Sequence, residues 1–298
     1  VSEKMMQDLP PYLTTRELAD LIRVKERKVY DLAAAGEVPH SRATGKLLFP
    51  RDAVLAWIDR AGDAADEGHE RPAVVLGSHD LLLEWALRES GCGLASLFDG
   101  SLDGIERLAR KEGVAAGVHV PDMEDEDWNI EAVSSQFAFK SVVLIEWAKR
   151  HRGFIVPSGN PARIKTVADL AGKRLARRQQ AAGTHVLLQK LVAAAGNNLE
   201  AAIVDGPTVR DEREAAQAVF GGDADVAFGL ESAARQSRLD FVPVCTERFD
   251  LVVLRREYFE PAFQKLLAFA RSEAFANKAE QLGGYDISDL GKVHFNGY

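Results

Sequence analysis

Three short segments of the chain combine a hydroxyl, a glycine and the start of a helical pattern: Gly77-Ser78-His79-Asp80, Asp99-Gly100-Ser101-Leu102 and Ala182-Gly183-Thr184-His185. The first turn of a helix carries backbone N–H groups with no intrahelical partner, and a neighbouring glycine lets that backbone come close to a bound atom. Three such ends facing one cleft could hold a small oxyanion without a formal positive charge. A lone Ser or Thr at a helix start is more simply an N-cap, so the repetition at equivalent places carries the signal. A second chemistry is electrostatic. Between Arg23 and Arg51 the basic residues are Arg23, Lys25, Arg27, Lys28, Arg42, Lys46 and Arg51, against Glu26, Asp31 and Glu37 alone. In a chain of net charge −8, this segment attracts a polyanion that the remainder repels.

The elements that present the basic residues are readable. Thr14 followed by Glu17 is a capping box opening a helix whose buried face is Leu18, Leu21 and Ile22. Arg23-Val24 makes a tight turn, and Val29, Leu32 and Ala33 give a second short helix its apolar stripe, ended by Gly36. Val38-Pro39 and Leu47-Leu48-Phe49 read as two short strands around the turn Ala43-Thr44-Gly45-Lys46, after which Pro50 opens a third helix. Lys25, Arg27 and Lys28 then occupy the first turn of the second helix, the end that reaches base edges in a major groove, with Tyr30 one turn on. Arg42 and Lys46 sit on the wing, placed for phosphate or minor-groove contact.

The order YLTTRELADLI, V-x-x-x-x-VY, GEVP and LLFPRDAVLAWI resembles the excisionase and MerR-type winged helix-turn-helix. The resemblance implies binding of double-stranded DNA through Arg23, Lys25, Arg27, Lys28, Tyr30, Arg42 and Lys46. One departure is Lys25, where that family has Ser or Thr, so the usual helix cap is missing.

At 298 residues and 46% hydrophobic, the chain has room for a small domain and one or two larger lobes. Cys92 and Cys245 lie far apart without metal-ligand spacing, which fits a reducing cytoplasm and two small, largely apolar side chains. No apolar run approaches a membrane span and none follows the first residues, so a cytoplasmic location and no membrane partner are expected. The small, polar, acidic run from Ala61 to Arg71 reads as a linker between a DNA-binding domain at 1–60 and a second domain at 72–298.

From Ala73 the pattern becomes short apolar runs alternating with amphipathic helices, the rhythm of a parallel sheet covered on both faces. Two α/β units result, with lobe 1 at about 72–153 and 247–298 and lobe 2 at about 154–246. Val142 to Trp147 and Gly153 to Val156 read as two strands separated by the turn Lys149-Arg150-His151-Arg152, and Phe241 to Val244 and Phe249 to Leu254 as two further strands. Ligands in such folds sit at the loops outside the carboxyl ends of the strands. The candidates there are Ser78, His79, Ser101, Arg178, Gly183, Thr184 and Glu231. His79 and His119 could donate to a ligand or serve as structural residues. Glu231 would repel a dianion if it faced the cleft, and otherwise complements a helix dipole. Arg177 and Arg178 could meet an anion or stay solvated.

The run from GSHDLLLEWAL through GFIVPSGNPARIKTVADLAGKRLARRQQAAGTHVLLQKLVAAAG to FDLVVL resembles the cytoplasmic, two-lobed type II periplasmic-binding-protein-like domain that accompanies helix-turn-helix regulators and molybdopterin-biosynthesis proteins. The resemblance implies an α/β fold and a small anionic effector of the molybdate or tungstate type. In the second lobe the family pattern R-Q-R-G-S-G-T-R is replaced here by Arg178 to His185, with Gln180, Ala181 and Ala182 standing where an Arg, a Gly and a Ser are usual. No Gly-x-Ser-x-Gly elbow, P-loop, Gly-x-Gly-x-x-Gly or metal-ligand cluster is present, and the acidic run Asp122 to Asp127 reads as a solvated loop, so no catalytic residue and no cofactor is expected. The resulting expectation is a ligand-responsive transcriptional regulator acting as a homodimer or higher homo-oligomer. The alternatives are an architectural, excisionase-like DNA protein with a ligand-free second domain, or an enzyme or carrier of molybdenum-cofactor metabolism.

Overall fold

The computed structural model describes residues 10–42, 45–64, 71–122, 127–137, 141–196 and 198–297, and its contacts divide the chain at Glu70/Arg71 into two compact units. In the first unit, β1 (Tyr12–Leu13) leads into α1 (Thr15–Leu21), which is opened by the capping box: Glu17 accepts from the Thr14 amide at 2.7 Å while its own amide donates to Thr14 Oγ1. Arg23 takes a left-handed φ of 54° in the turn, and α2 (Glu26–Ala34) follows, ended at Gly36 with φ 71°. Phe49–Pro50 forms β2, and α3 runs over Arg51–Ala64. Leu18, Val29, Phe49 and Val54 are buried in one apolar cluster, so the two helices, the sheet and the closing helix share a core.

Three sequence expectations change here. β2 pairs with β1, Tyr12 opposite Pro50, and a single bridge joins Ser41 to Leu48, whereas Val38-Pro39 forms no strand. Proline lacks the N–H a ladder requires, which moves the wing's pairing onward to Ser41. The tip of the expected turn, residues 43–44, lies outside the described residues. Finally, α3 extends through Ala64, so the first four residues of the expected linker, 61–64, are helical.

The second unit is built on one sheet of ten strands. In chain order its elements are β3 (Val74–Gly77), α4 (Leu81–Glu89), β4 (Ala95–Phe98), α5 (Ser101–Ala109), β5 (Ala115–Val118), α6 (Ile130–Phe137) and β6 (Val142–Val156). After a single 3-10 turn at Val167–Leu170 come β7 (Arg174–Arg178), α7 (Gly183–Ala195), α8 (Leu199–Ala202), β8 (Val204–Val209), α9 (Glu212–Phe220), β9 (Val226–Leu230) and α10 (Glu231–Gln236). The chain returns through β10 (Asp240–Leu254), then α11 (Arg255–Tyr258), α12 (Pro261–Ala270), α13 (Glu273–Leu282), β11 (Tyr285–Asp286) and β12 (Val293–Asn296). The sheet order is β4-β3-β5-β10-β6-β9-β7-β8, with β11 and β12 added to β6.

The order explains the two lobes. β3, β4 and β5 run parallel on one side, β7, β8 and β9 on the other, and the long antiparallel pair β6/β10 passes through both. Lys149 to Arg152 is therefore the middle of one continuous strand of fifteen residues, not a turn, and Asp240–Leu254 is likewise one strand rather than two. Each lobe has its own apolar cluster, Leu76, Ile105, Val118 and Val252 in one and Phe154, Leu175, Val226 and Phe228 in the other. Buried Trp147 on β6 meets Phe275 of α13 edge to face at 5.2 Å, and burial of one such side chain contributes about 1.5–3 kcal/mol. This contact brings the C-terminal helices back onto lobe 1.

Candidate functional site

Alternation along β6 puts Arg150 and Arg152 on one face of the strand and Lys149 and His151 on the other. Arg150 and Arg152 are both 0% exposed and lie directly beside Glu247 of β10, also 0% exposed. Isolated charges there would cost several kcal/mol each, so they must be paired. They form an alternating chain. Asp80 accepts from Arg150 Nη1 at 2.9 Å and from the Tyr285 hydroxyl at 2.7 Å, and Arg150 Nη2 reaches Glu247. Glu247 also accepts from Arg152 Nε at 2.6 Å, while Arg152 donates both Nη groups to Glu212 at 3.2 Å. Arg178 closes the chain, donating to Glu212 at 3.0 Å and to the Arg210 carbonyl at 2.7 Å. Three guanidinium groups and three carboxylates leave the array with no net charge. Burial opposes ionisation of Glu212, but Arg152 and Arg178 outweigh it and hold the acid at about 2; Arg150 and Arg152 likewise keep Glu247 well below the carboxylate range.

His119 joins this array to the hydroxyls. Its Nδ1 lies 3.0 Å from Glu247 and its Nε2 lies 2.8 Å from Ser78 Oγ. Burial pushes His119 down to about 4, against the pull of Glu247, so the ring is neutral near pH 7. An ionised Glu247 can only accept, hence Nδ1 carries the proton, Nε2 accepts, and the Ser78 hydroxyl donates to it. Ser78 is left with lone pairs alone. Ser101 is the reverse: its Oγ accepts the His119 amide at 3.2 Å and keeps its proton free. Thr184 Oγ1 and Arg150 Nε are buried without a partner among the described residues. The chain Ser78–His119–Glu247 has the connectivity of a serine hydrolase triad. Two arginines already neutralise Glu247, and burial lowers His119 to about 4, which disfavours it as a base near pH 7. The chain orients Ser78.

The lobes meet at this point. A Cβ on Gly183 would sit 2.4 Å from the His119 carbonyl and 2.9 Å from Ser101 Oγ, so only glycine lets α7 approach lobe 1 so closely. Gly100, at φ 124°, is held 2.7 Å (as a notional Cβ) from the Ala181 carbonyl, which also accepts the Leu102 amide at 3.1 Å. Gln179 Nε2 donates across the seam to the Asp99 carbonyl at 3.1 Å.

Of the residues expected from sequence, Ser78, Ser101 and Gly183 thus meet at one buried seam, Thr184 is buried next to Gly183, and Arg178 joins through the ion-pair chain. His79 lies to the side, buried against Phe98, with Nε2 3.3 Å from Glu84. That hydrogen bond comes first among the causes that hold Glu84 at about 2. Glu231 is not in the array. It lies 2.9 Å from His151 Nδ1 on the opposite face of β6 and pairs with Arg235, so its position is that of a partner for two surface side chains. Arg177 also turns away, to Asp205 and Glu200. The acidic run is only partly solvated, since Asp127 pairs with Arg248 and Asp122 is buried; residues 123–126 lie outside the described residues. Arg150, Arg152 and Glu247 were missed because four successive polar residues between apolar runs break the strand pattern, and Glu212 because an acid in the first turn of a helix is ordinarily a solvated dipole partner. Apolar runs on both sides of KRHR and of CTER are the signal for one long strand with one buried polar face.

In the first unit, Arg23, Lys25, Arg27, Lys28, Tyr30, Arg42 and Lys46 are all exposed. Among the described residues none of these six cations has a carboxylate within ion-pair distance. Lys25 stands at the N-cap of α2 without a side-chain cap bond.

Among the described residues no group of three or more His, Cys, Asp or Glu could hold a metal ion, and no helix is long and apolar enough to cross a membrane. Cys92 and Cys245 are free, and burial raises the Cys245 thiol to about 11.

Residues 84–271 match the family model of the PBP superfamily domain, from within α4 through the long β6/β10 pair and the whole second α/β unit. The chain belongs to the PBP superfamily. Residues 12–62 match the helix-turn-helix domain model. An uncharacterised protein of Bacillus subtilis, YvgK, is 26% identical over 302 residues, covering 94% of this chain and 96% of that one. An uncharacterised protein in the ferredoxin 2Fe-2S gene 5′ region of Clostridium pasteurianum is 38% identical over 79 residues, 26% of this chain and 70% of the relative. Among solved structures, a candidate phosphate ABC transporter substrate-binding protein with bound phosphate from Clostridium perfringens has a TM-score of 0.54 at 14% identity over 74% of this chain and 98% of that chain. The sulfate-binding protein SubI from Mycobacterium tuberculosis has a TM-score of 0.51 at 16% identity over 71% of this chain and 85% of that one. These likenesses establish the periplasmic-binding-type fold.

Proposed function

We propose that this chain is a ligand-responsive, DNA-binding transcriptional regulator in the cytoplasm: the helix-turn-helix unit binds duplex DNA and the PBP-type unit binds a small anionic effector. The observation that carries the reading is the meeting of Ser101, Thr184, Ser78 and the N-termini of α5 and α7 at one buried seam, beside arginines already neutralised by carboxylates. The effector is held by hydroxyl and amide donors and by Arg150 Nε, and the lobes part along β6/β10 to admit it. Molybdate and tungstate are effectors of this class. Ser78, able only to accept, favours an oxyanion that carries its own proton, which puts hydrogenphosphate at the head of the panel. The names of the phosphate- and sulfate-binding fold neighbours support including both ions. A homodimer or higher homo-oligomer supplies the second DNA reader that a small domain needs. Binding regulates only if the effector favours one lobe arrangement over the other.

Fluorescence anisotropy of a duplex selected from a random pool, titrated with the full chain in the presence and absence of phosphate, sulfate, molybdate and tungstate, tests this reading. At least one oxyanion should shift DNA affinity about 5-fold or more, the usual size of a coupling between sites. Absence of DNA binding, or affinity indifferent to every oxyanion, would contradict it.

A further inference from the structure

A second cavity lies outside the buried array, again where elements of the two lobes face each other. Its volume is about 410 Å³, within the ~300–1,000 Å³ typical of small-molecule sites. Lobe 1 contributes Trp85 and Arg88 from α4 and Lys278 and Leu282 from α13; lobe 2 contributes Arg213 from α9 and Arg235 from α10. Four cations therefore line one depression in a chain of net charge −8. Their pairing is incomplete. Arg213 shares Glu84 with His79, and Arg235 shares Glu231 with His151. Among the described residues no carboxylate lies within ion-pair distance of Arg88 or Lys278; the Lys278 ammonium instead sits 5.7 Å from the Trp85 ring centroid.

We infer that this cavity is a second binding site, for a small organic polyanion that carries phosphate groups on an apolar or aromatic body. The excess of two positive charges, four cations against Glu84 and Glu231, matches a doubly charged phosphate group, and Trp85 with buried Leu282 supplies an apolar wall that a bare inorganic ion would not use. The site differs in kind from the inner seam, where every guanidinium already has a carboxylate. Because its cations come from both lobes, they repel one another when the lobes meet, and a bridging polyanion relieves that repulsion. The occupant thus favours the arrangement in which the lobes touch.

Calorimetry of the full chain with adenosine diphosphate and with pyrophosphate tests the inference. Adenosine diphosphate should bind saturably and more tightly than pyrophosphate, and should quench tryptophan emission by an amount that disappears in Trp85→Phe. The variant Arg88→Glu with Lys278→Glu, which breaks no ion pair among the described residues, should weaken binding at least 10-fold, whereas Ser78→Ala with Thr184→Ala should leave it unchanged. No saturable heat with either probe, or heats undiminished by the charge reversal in a variant of native circular dichroism, would overturn the inference.

Discussion

Two sets of basic side chains make this chain instructive, because the same residue type is deployed in opposite ways. On the helix-turn-helix unit, Arg23, Lys25, Arg27, Lys28, Arg42 and Lys46 stand in solvent with no carboxylate in reach among the described residues. In the PBP-type unit, Arg150, Arg152 and Arg178 are buried and each is met by Asp80, Glu247 or Glu212. Exposed, unpaired cations exert a field on a polyanion and cost little to maintain; buried cations must be neutralised from within, and then serve as a rigid frame. The first set suits contact with an external phosphate backbone, in line with the proposed function. The second has already found its anions, so under that proposal the charge of an effector would be met by hydroxyls and helix ends.

The contrast is sharpest in what a deletion does to each set. Glu247→Ala leaves Arg150 and Arg152 buried with a shared anion missing, and should cost the PBP-type unit about 3–5 kcal/mol in urea unfolding, without altering the helix-turn-helix unit. Arg27→Ala with Lys28→Ala should do the reverse. Stability should change by less than about 0.5 kcal/mol, while DNA affinity falls and the slope of log affinity against log salt drops by about 1 for each phosphate contact removed. If both substitutions unfolded the protein equally, the proposed division of labour would fail.

A smaller effect tests the seam alone. Gly183→Ala places a methyl group 2.4 Å from the His119 carbonyl, which should hold the lobes apart and weaken effector binding by about 1–3 kcal/mol with secondary structure retained. Unchanged affinity would remove lobe contact from the account.

Acid should separate the two units least strongly but with a definite sign. Glu212 titrates at about 2 in the fold against 4.5 ordinarily, so its contribution is present above about pH 4.5 and is lost as the pH falls from there toward 2. His119, lowered from 6.5 to about 4, removes stability as the pH falls through that interval, whereas Asp250, which burial raises from 3.8 to about 6, adds it over nearly the same range. The two oppose each other, with the lowered His185 acting on the side of His119, so the steepest fall of the urea midpoint should come below about pH 4.5, where Glu212 titrates. Asp250→Asn should expose the His119 slope already below about pH 6.5. A flat profile in that variant would contradict the neutral-histidine assignment.

Much of this organisation was readable from residue order. The Thr14/Glu17 capping box, the apolar stripe of α2 and Gly36 are local signals, and local signals survive without tertiary context. The loops at Ser78, Ser101 and Thr184 were also visible, because a hydroxyl beside a glycine recurs before three apolar helices. What the order hid was the centre of the site. A strand with buried arginines violates composition rules that hold for almost every other strand, and Arg150 and Arg152 become intelligible only when β10 brings Glu247 beside them from 95 and more positions away. Glu231 shows the converse: its place at a strand end suited the cleft, but the pleat of β6 gave it His151 instead.

The claim on which the rest depends is that the seam at Ser78, Ser101 and Thr184 takes a small oxyanion. Thermal unfolding of the full chain with millimolar phosphate, sulfate, molybdate or tungstate measures it most directly. At least one ion, with phosphate first, should raise the unfolding transition of residues 71–297 while leaving that of the helix-turn-helix unit in place, and Ser78→Ala with Thr184→Ala should abolish the rise. No shift with any of the four ions, or a shift that survives the double substitution, would contradict it.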